Sequence, residues 1–259
     1  MNGPRICKDG FEIGPELFNL QCYGAWELPW FFVGCGLWAV LYVIIIRNSL
    51  KYKFIEMPMI ALAASISWEF IWAWFYKTNM GHLAQFTYRL WFVVDIGLFV
   101  LLWLYGHKQG WAEAIRKNFR PALVFSVACW ILFFFTYPVS DSNQFAYPGR
   151  YRTDHYIGAI TAYVDNLVIS AAYIFQLARM RDVRAMSPWV AWLKGIGTGL
   201  NTVFMFIVFT KDYLLQSMGL VVLILDLVYI LWLRERRKAQ AAGIEGVPRL
   251  DSLEPVEVQ

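Results

Sequence analysis

The chain reads as an all-α integral membrane protein: a seven-transmembrane-helix bundle with its N-terminus outside or lumenal and its C-terminus cytoplasmic. Three observations predict this. The chain is 59% hydrophobic and only 16% charged, with a mean hydropathy of +0.45, where a soluble domain carries about a quarter charged residues. Seven apolar stretches are long enough to cross a bilayer, which takes roughly 20 residues each. The basic residues are split unevenly between the two ends of these stretches, with fourteen Lys and Arg on one side and seven on the other. The richer side is the cytoplasmic one. The net charge of +4 reflects this bias, and no nucleic-acid surface is read from it.

Residues 1–26 form an N-terminal segment without the basic start and apolar core of a cleavable signal peptide. Within FEIGPELFNLQCYGAWELPW (11–30) apolar and polar residues alternate, which predicts a short interfacial helix with Trp26 and Trp30 at headgroup level. The spans are expected near 27–46, 58–76, 88–106, 120–138, 157–178, 189–209 and 213–233. Between the last two lie only Thr210, Lys211 and Asp212, so these helices form a tight antiparallel hairpin. The bundle, 27–235, is one domain, and 236–259 is a disordered cytoplasmic tail, polar and rich in Glu, Asp and Pro. Cys35 and Cys129 fall in spans as small packing residues, while Cys7 and Cys22 share the outer segment, where a disulfide can form.

Four acids interrupt otherwise apolar helices: Glu69, Asp95, Asp165 and Asp226. A carboxylate in hydrocarbon costs several kcal/mol or more, faces the bundle interior, and marks a functional site by default. From the helical rise, Glu69 lies about 12 Å in from the outer end of its span, Asp95 about 9 Å, Asp165 about 12 Å and Asp226 about 20 Å. That band fits one shared cavity. Ser65, Trp72 and Tyr76 share the face of Glu69 on the second span; Trp91 and Phe92 precede Asp95 by one turn; Tyr229 follows Asp226 by three residues. An acid among aromatic faces can bind a cation, and burial disfavours the ionised form of a carboxyl, leaving a proton to give. Together these suit protonation of an apolar substrate and shielding of the carbocation that results. The bland alternative is that an acid merely bonds a neighbouring helix. It fits best for Asp165, beside Asn166, and for Asp95, near the outer face. Lys194 is the one basic residue within a span, and it is expected to snorkel at the inner end of the sixth.

Several chemistries lack their residues. There is no DDxxD-type pair to hold Mg²⁺ on a diphosphate, no HExxH or Cys/His cluster, and no GxSxG or GxGxxG loop. His82, His107 and His155 are all expected in loops. No cofactor is called for, and the seventh span has no Lys for a retinal Schiff base.

On the second span the chain carries SISWEF, with Trp68-Glu69, and on the seventh ILDLVY, with Asp226. With its length and seven spans it resembles the small integral-membrane terpene cyclases, a family of fungal meroterpenoid and indole-diterpene cyclases and bacterial relatives. Fungal members commonly have an Asn shortly before the Trp-Glu pair, where this chain has Ala64, Ser65 and Ser67. The resemblance implies that Glu69 and Asp226 are the essential acids. One would protonate the terminal alkene or epoxide of a prenyl chain, needing no metal, and the other would orient it or take the final proton. It also implies a prenylated substrate with an aromatic or other polar head, entering from the lipid bilayer, and an upstream prenyltransferase and epoxidase. Trp68, Trp72, Trp91 and Tyr229 are candidates for lining the cavity, with Asp95 and Asp165 as further substrate-binding acids. The activity would be an isomerase or lyase in terpenoid biosynthesis, in a bacterial plasma membrane or the endoplasmic reticulum.

A proton-coupled small-molecule transporter would also use buried acids, although no inverted repeat is visible and only GIGTG at 195–199 offers a weak point in a span. A seven-helix receptor or assembly subunit would leave the midplane acids without a task.

Overall fold

The computed structural model describes residues 17–20, 23–76, 78, 80–141 and 154–243. Among these the chain is all-helical: α1 (Leu28–Tyr52), α2 (Met59–Trp74), α3 (His82–Tyr105), α4 (Glu113–Lys117), α5 (Phe119–Asp141), α6 (Asp154–Arg179), α7 (Pro188–Val208) and α8 (Tyr213–Ala241), with one 3-10 turn at Gly106–Lys108. Each expected span falls on one of these helices, and α4 is an extra turn in the loop before α5. Six helices are long and apolar enough to cross a membrane; α2 is a shorter apolar helix of 16 residues. At 1.5 Å per residue α2 is about 24 Å long, less than the roughly 30 Å of a hydrocarbon core.

The shortness of α2 follows from its ends and its place. Pro58 precedes it in extended conformation, and a proline at a helix start blocks extension backwards. The helix packs against α3, α5 and α6, and Ala61, Leu62, Ala63 and Ala64 are wholly buried. A helix apolar on every side belongs in a core, and the alanines let its neighbours approach closely. Its first turn is held by Gln109, which is fully buried. The Met59 N–H donates to Gln109 Oε1 (3.2 Å), and Gln109 Nε2 donates to the carbonyls of Ile55 (3.0 Å) and Met57 (2.7 Å).

Gly34 and Gly197 explain how α1 meets α7. A Cβ on Gly34 would stand 2.7 Å from the Gly197 carbonyl, and one on Gly197 would stand 3.0 Å from the Gly34 carbonyl. The GIGTG run is therefore a close helix crossing, and α7 passes through it unbroken. The α7–α8 connection is as tight as expected, with Asp212 capping α8 by accepting from Leu215 N–H (2.9 Å).

Other expectations are revised. The last helix runs to Ala241 rather than stopping near 233. Its basic residues reach back onto the α6–α7 connection: Arg236 donates to the carbonyls of Leu177 (2.8 Å) and Met180 (3.0 Å), and Arg237 to that of Met186 (2.7 Å). The two Arg236 bonds satisfy carbonyls at the α6 C-terminus. His82 begins α3, His155 lies in the first turn of α6 and His107 in the 3-10 turn, so none is in an open loop. Residues 17–20 and 23–27 form bends and turns; the rest of the expected interfacial helix before Leu28, Cys7 with Cys22, and the tail beyond residue 243 lie outside the described residues.

Candidate active site

A cavity of about 120 Å³ opens among α1, α2, α3, α6 and α7. Its polar side chains are few: Glu69 and Ser65 from α2, Asp165 and Asn166 from α6, Asn201 from α7, and Thr78. Most of the remaining wall is aromatic. From α2 come Trp68 and Trp72, one helical turn apart with ring centroids 5.9 Å from each other. Tyr88 and Trp91 face them from α3, and the Tyr88 ring meets Trp68 edge to face at 5.3 Å. Trp38 and Tyr42 come from α1. The Trp68 indole is held by donating to Thr161 Oγ1 (3.0 Å), whereas the buried Trp72 Nε1 has no partner among the described residues. Gly158 gives the Trp72 ring its room, since a Cβ there would lie 3.1 Å from it.

Two of the four acids reach this cavity. Glu69 and Asp165 line it, and each keeps one buried oxygen with no N–H or O–H donor among the described residues. Asn166 does not satisfy Asp165, because its amide donates to the Ala162 carbonyl of its own helix (2.9 Å). Asp95 is fully buried and lies behind the wall. Its carboxyl is close enough to the Glu69 carboxyl and the Ser65 hydroxyl to interact electrostatically, and neither Asp95 oxygen has a hydrogen-bond partner among the described residues. A hydrogen bond between two carboxyl groups requires a proton on one of them. With a proton on either, Glu69 and Asp95 are placed as a neighbouring carboxyl pair, Glu69 at the cavity wall and Asp95 behind it.

The expectation of one cavity shared by all four acids is corrected for Asp226. No side chain of α8 lines the cavity. Asp226 is instead ion-paired with Lys194 of α7. The expectation that Lys194 snorkels is also corrected: the residue is 0% exposed, and its ammonium donates to Asp226 Oδ1 and to Ser170 Oγ (2.8 Å). The physical reason is that α6, α7 and α8 enclose Lys194 on all sides. Tyr229 also turns away from the cavity, donating to Glu56 Oε1 (3.3 Å) with its ring 5.1 Å from that of Tyr173.

Sequence reasoning found Trp68, Trp72 and Trp91 but missed Trp38, Tyr42 and Asn201. The spacing Gly34, Trp38, Tyr42 marks one stripe of α1, and an Asn in an apolar helix is a polar signal of the same kind as the acids. It missed Glu56 as well. That residue sits in the α1–α2 loop, yet its side chain is buried and accepts from Ser187 N–H (2.9 Å). Among the described residues no group of three or more His, Cys, Asp or Glu is arranged to hold a metal ion.

A family model described as Pyr4-like transmembrane terpene cyclases matches residues 20–237. The chain is 25% identical over 178 residues to the Pyr4-family terpene cyclase mfmH of Annulohypoxylon moriforme, covering 68% of this chain and 66% of that one. It is 23% identical over 168 residues to the terpene cyclase macJ of Penicillium terrestre, covering 62% and 59%. The chain thus spans about two thirds or less of the length of these curated relatives. No solved structure matches it.

Proposed function

Because this chain belongs to the Pyr4-like transmembrane terpene cyclase family, we propose that it is itself a membrane-bound terpene cyclase that starts its reaction by protonating a prenyl chain. It is an integral, multi-pass membrane protein, with six helices long and apolar enough to cross. In the proposed topology α2 completes a set of seven, the N-terminus is outside or lumenal and the C-terminus is cytoplasmic, as the basic-residue bias favours. The substrate is a prenyl chain on an aromatic or other polar head, supplied by a prenyl transfer reaction and, for an epoxide substrate, by an epoxidation.

The observation that carries this reading is the Glu69–Asp95 carboxyl pair at the wall of an aromatic cavity. In the proposed mechanism Glu69 gives a proton to the terminal alkene carbon or epoxide oxygen. The resulting cation is drawn to the faces of Trp68, Trp72 and Trp91 and to the carboxyl oxygens of Asp165. Glu69, now a carboxylate beside Asp95, is the nearest base for the proton lost at the end, so the cycle closes with no change of mass and without a metal. Water exclusion protects the cation from early capture. A cavity of about 120 Å³ is near the size that admits a single small ring. It therefore suits the terminal unit of the chain where cyclisation begins, with the remainder and the head group extending between helices.

The test is product analysis by mass spectrometry. Membranes holding wild type or Glu69→Gln receive farnesylated and geranylgeranylated aromatic compounds, with and without a terminal epoxide. The expected result is an isomer of unchanged mass made by wild type and lost in Glu69→Gln. Full activity in the variant would refute the assignment of the donor. Uptake of labelled substrate into vesicles with no conversion would favour a carrier instead.

A further inference from the structure

Positive charge gathers where α3 passes through the 3-10 turn and α4 into α5. Lys108, Arg116 and Arg120 all bring their charges to bear on His107. Lys53, just past the end of α1, joins them at Tyr105: its Nζ and that of Lys108 stand 5.7 and 5.5 Å from the centre of this one ring. The Arg120 guanidinium lies 5.1 Å from the centre of the Trp103 ring. All four cations are exposed, and none makes an ion pair among the described residues. The one acid between Gly106 and Arg120, Glu113, is taken by Lys117 (2.8 Å), and Glu56 of the α1–α2 loop is buried against Ser187. Ring faces hold a cation in place but cancel none of its charge. Toward the membrane the same surface turns apolar: Val100 and Leu104 of α3, and Val124 one turn beyond Arg120 on α5, are exposed.

We propose that Lys53, Lys108, Arg116 and Arg120 form a site for the headgroup of an anionic phospholipid, whose acyl chains lie along the exposed apolar residues of α3 and α5. Clustered cations repel one another unless an anion joins them, and the protein supplies none here. A phosphate can bond two of these side chains at once, and Arg offers it a forked pair of donors. Cations beside a lipid-facing apolar surface match a ligand with a negative head and apolar tails. In the proposed topology this end is cytoplasmic, the side on which anionic lipids concentrate and basic pockets between helices take their headgroups. The bound lipid fastens the segment that sets the start of α2. Gln109, next to Lys108, bonds Ile55, Met57 and Met59, and α2 carries Glu69 to the cavity. The site acts on the stability of this end of the bundle, so it stands apart from the cyclase reading.

The experiment measures thermal unfolding of the full-length protein in neutral detergent with added phosphatidylglycerol or phosphatidylcholine. Phosphatidylglycerol is expected to raise the unfolding temperature of wild type by roughly 5 °C or more, as a ligand well above its Kd does for a chain of this size. Phosphatidylcholine is expected to leave it unchanged. The variant Lys108→Gln/Arg116→Gln/Arg120→Gln should lose most of the shift. Arg181→Gln/Arg234→Gln/Lys238→Gln removes the same charge from the α6–α7 connection and the end of α8, and should keep it. Equal loss in both triple variants would mean a diffuse surface charge and overturn the site, as would a full shift in the first or none in wild type. Should losing Arg120 from Trp103 prevent folding, Lys108→Gln/Arg116→Gln decides: its shift should fall by half or more, and a full shift overturns the site. The same rise with inorganic phosphate alone would overturn a lipid as the occupant.

Discussion

Glu56 gives the structure its clearest pH dependence. The residue lies in the α1–α2 loop, 1% exposed, among Ser187, Tyr229 and Arg237. Burial pushes its carboxyl up from 4.5 to about 8, outweighing the opposite pull of the Ser187 N–H, the Tyr229 hydroxyl and the Arg237 charge. For an acid raised on folding, both states hold the proton below pH 4.5 and stability is unaffected. Between 4.5 and 8 the unfolded chain ionises while the folded one does not, so stability falls by about 1.4 kcal/mol per pH unit. Above 8 the loss levels off at about 5 kcal/mol. The Glu56→Gln variant keeps polar groups for Ser187 and Tyr229 but cannot titrate. Thermal unfolding of the detergent-solubilised chain from pH 5 to pH 9 should therefore show wild type losing roughly 10 °C more than Glu56→Gln, at a few degrees per kcal/mol for a chain of this size. Parallel curves for the two proteins would refute the reasoning.

Gly34→Val should force α1 and α7 apart, because the added Cβ would meet Asn201 Oδ1 at 2.5 Å and the Gly197 carbonyl at 2.7 Å; a loss of about 3 kcal/mol is expected, read as a lower unfolding temperature. Gln109→Leu leaves three buried backbone groups without partners, so it should lower stability by about 3 kcal/mol or more in the same assay. Gly158→Val should push on the Trp72 ring and narrow the cavity, raising KM for farnesylated and geranylgeranylated substrates with little change in unfolding temperature. Asp165→Asn replaces the carboxyl on the α6 wall with an amide while keeping the side chain's shape. Its kcat for cyclisation should fall by roughly tenfold or more at nearly constant KM, the sign of an interaction made in the transition state.

The four acids and their aromatic neighbours were legible in the sequence because a charge in hydrocarbon is too costly to be accidental. The helices were legible for a related reason: in lipid a backbone must bond within its own segment, so an apolar run of sufficient length becomes a helix whatever surrounds it. Trp68, Trp72 and Trp91 could be placed near Glu69 and Asp95 because helical spacing assigns residues to a face. Which helix each face would meet depends on crossings between distant segments, and these were decided by the fold alone. Gly34 and Gly197 bring α1 to α7 and so place Trp38 and Tyr42 in the cavity wall. Lys194 and Asp226, 32 residues apart, became partners only when α7 and α8 packed together, which withdrew Asp226 from the cavity and left Glu69 with Asp95 behind it. One chain dictates its own helices through local bonding, but contacts between helices rest on the mutual fit of remote surfaces, which local pattern does not encode.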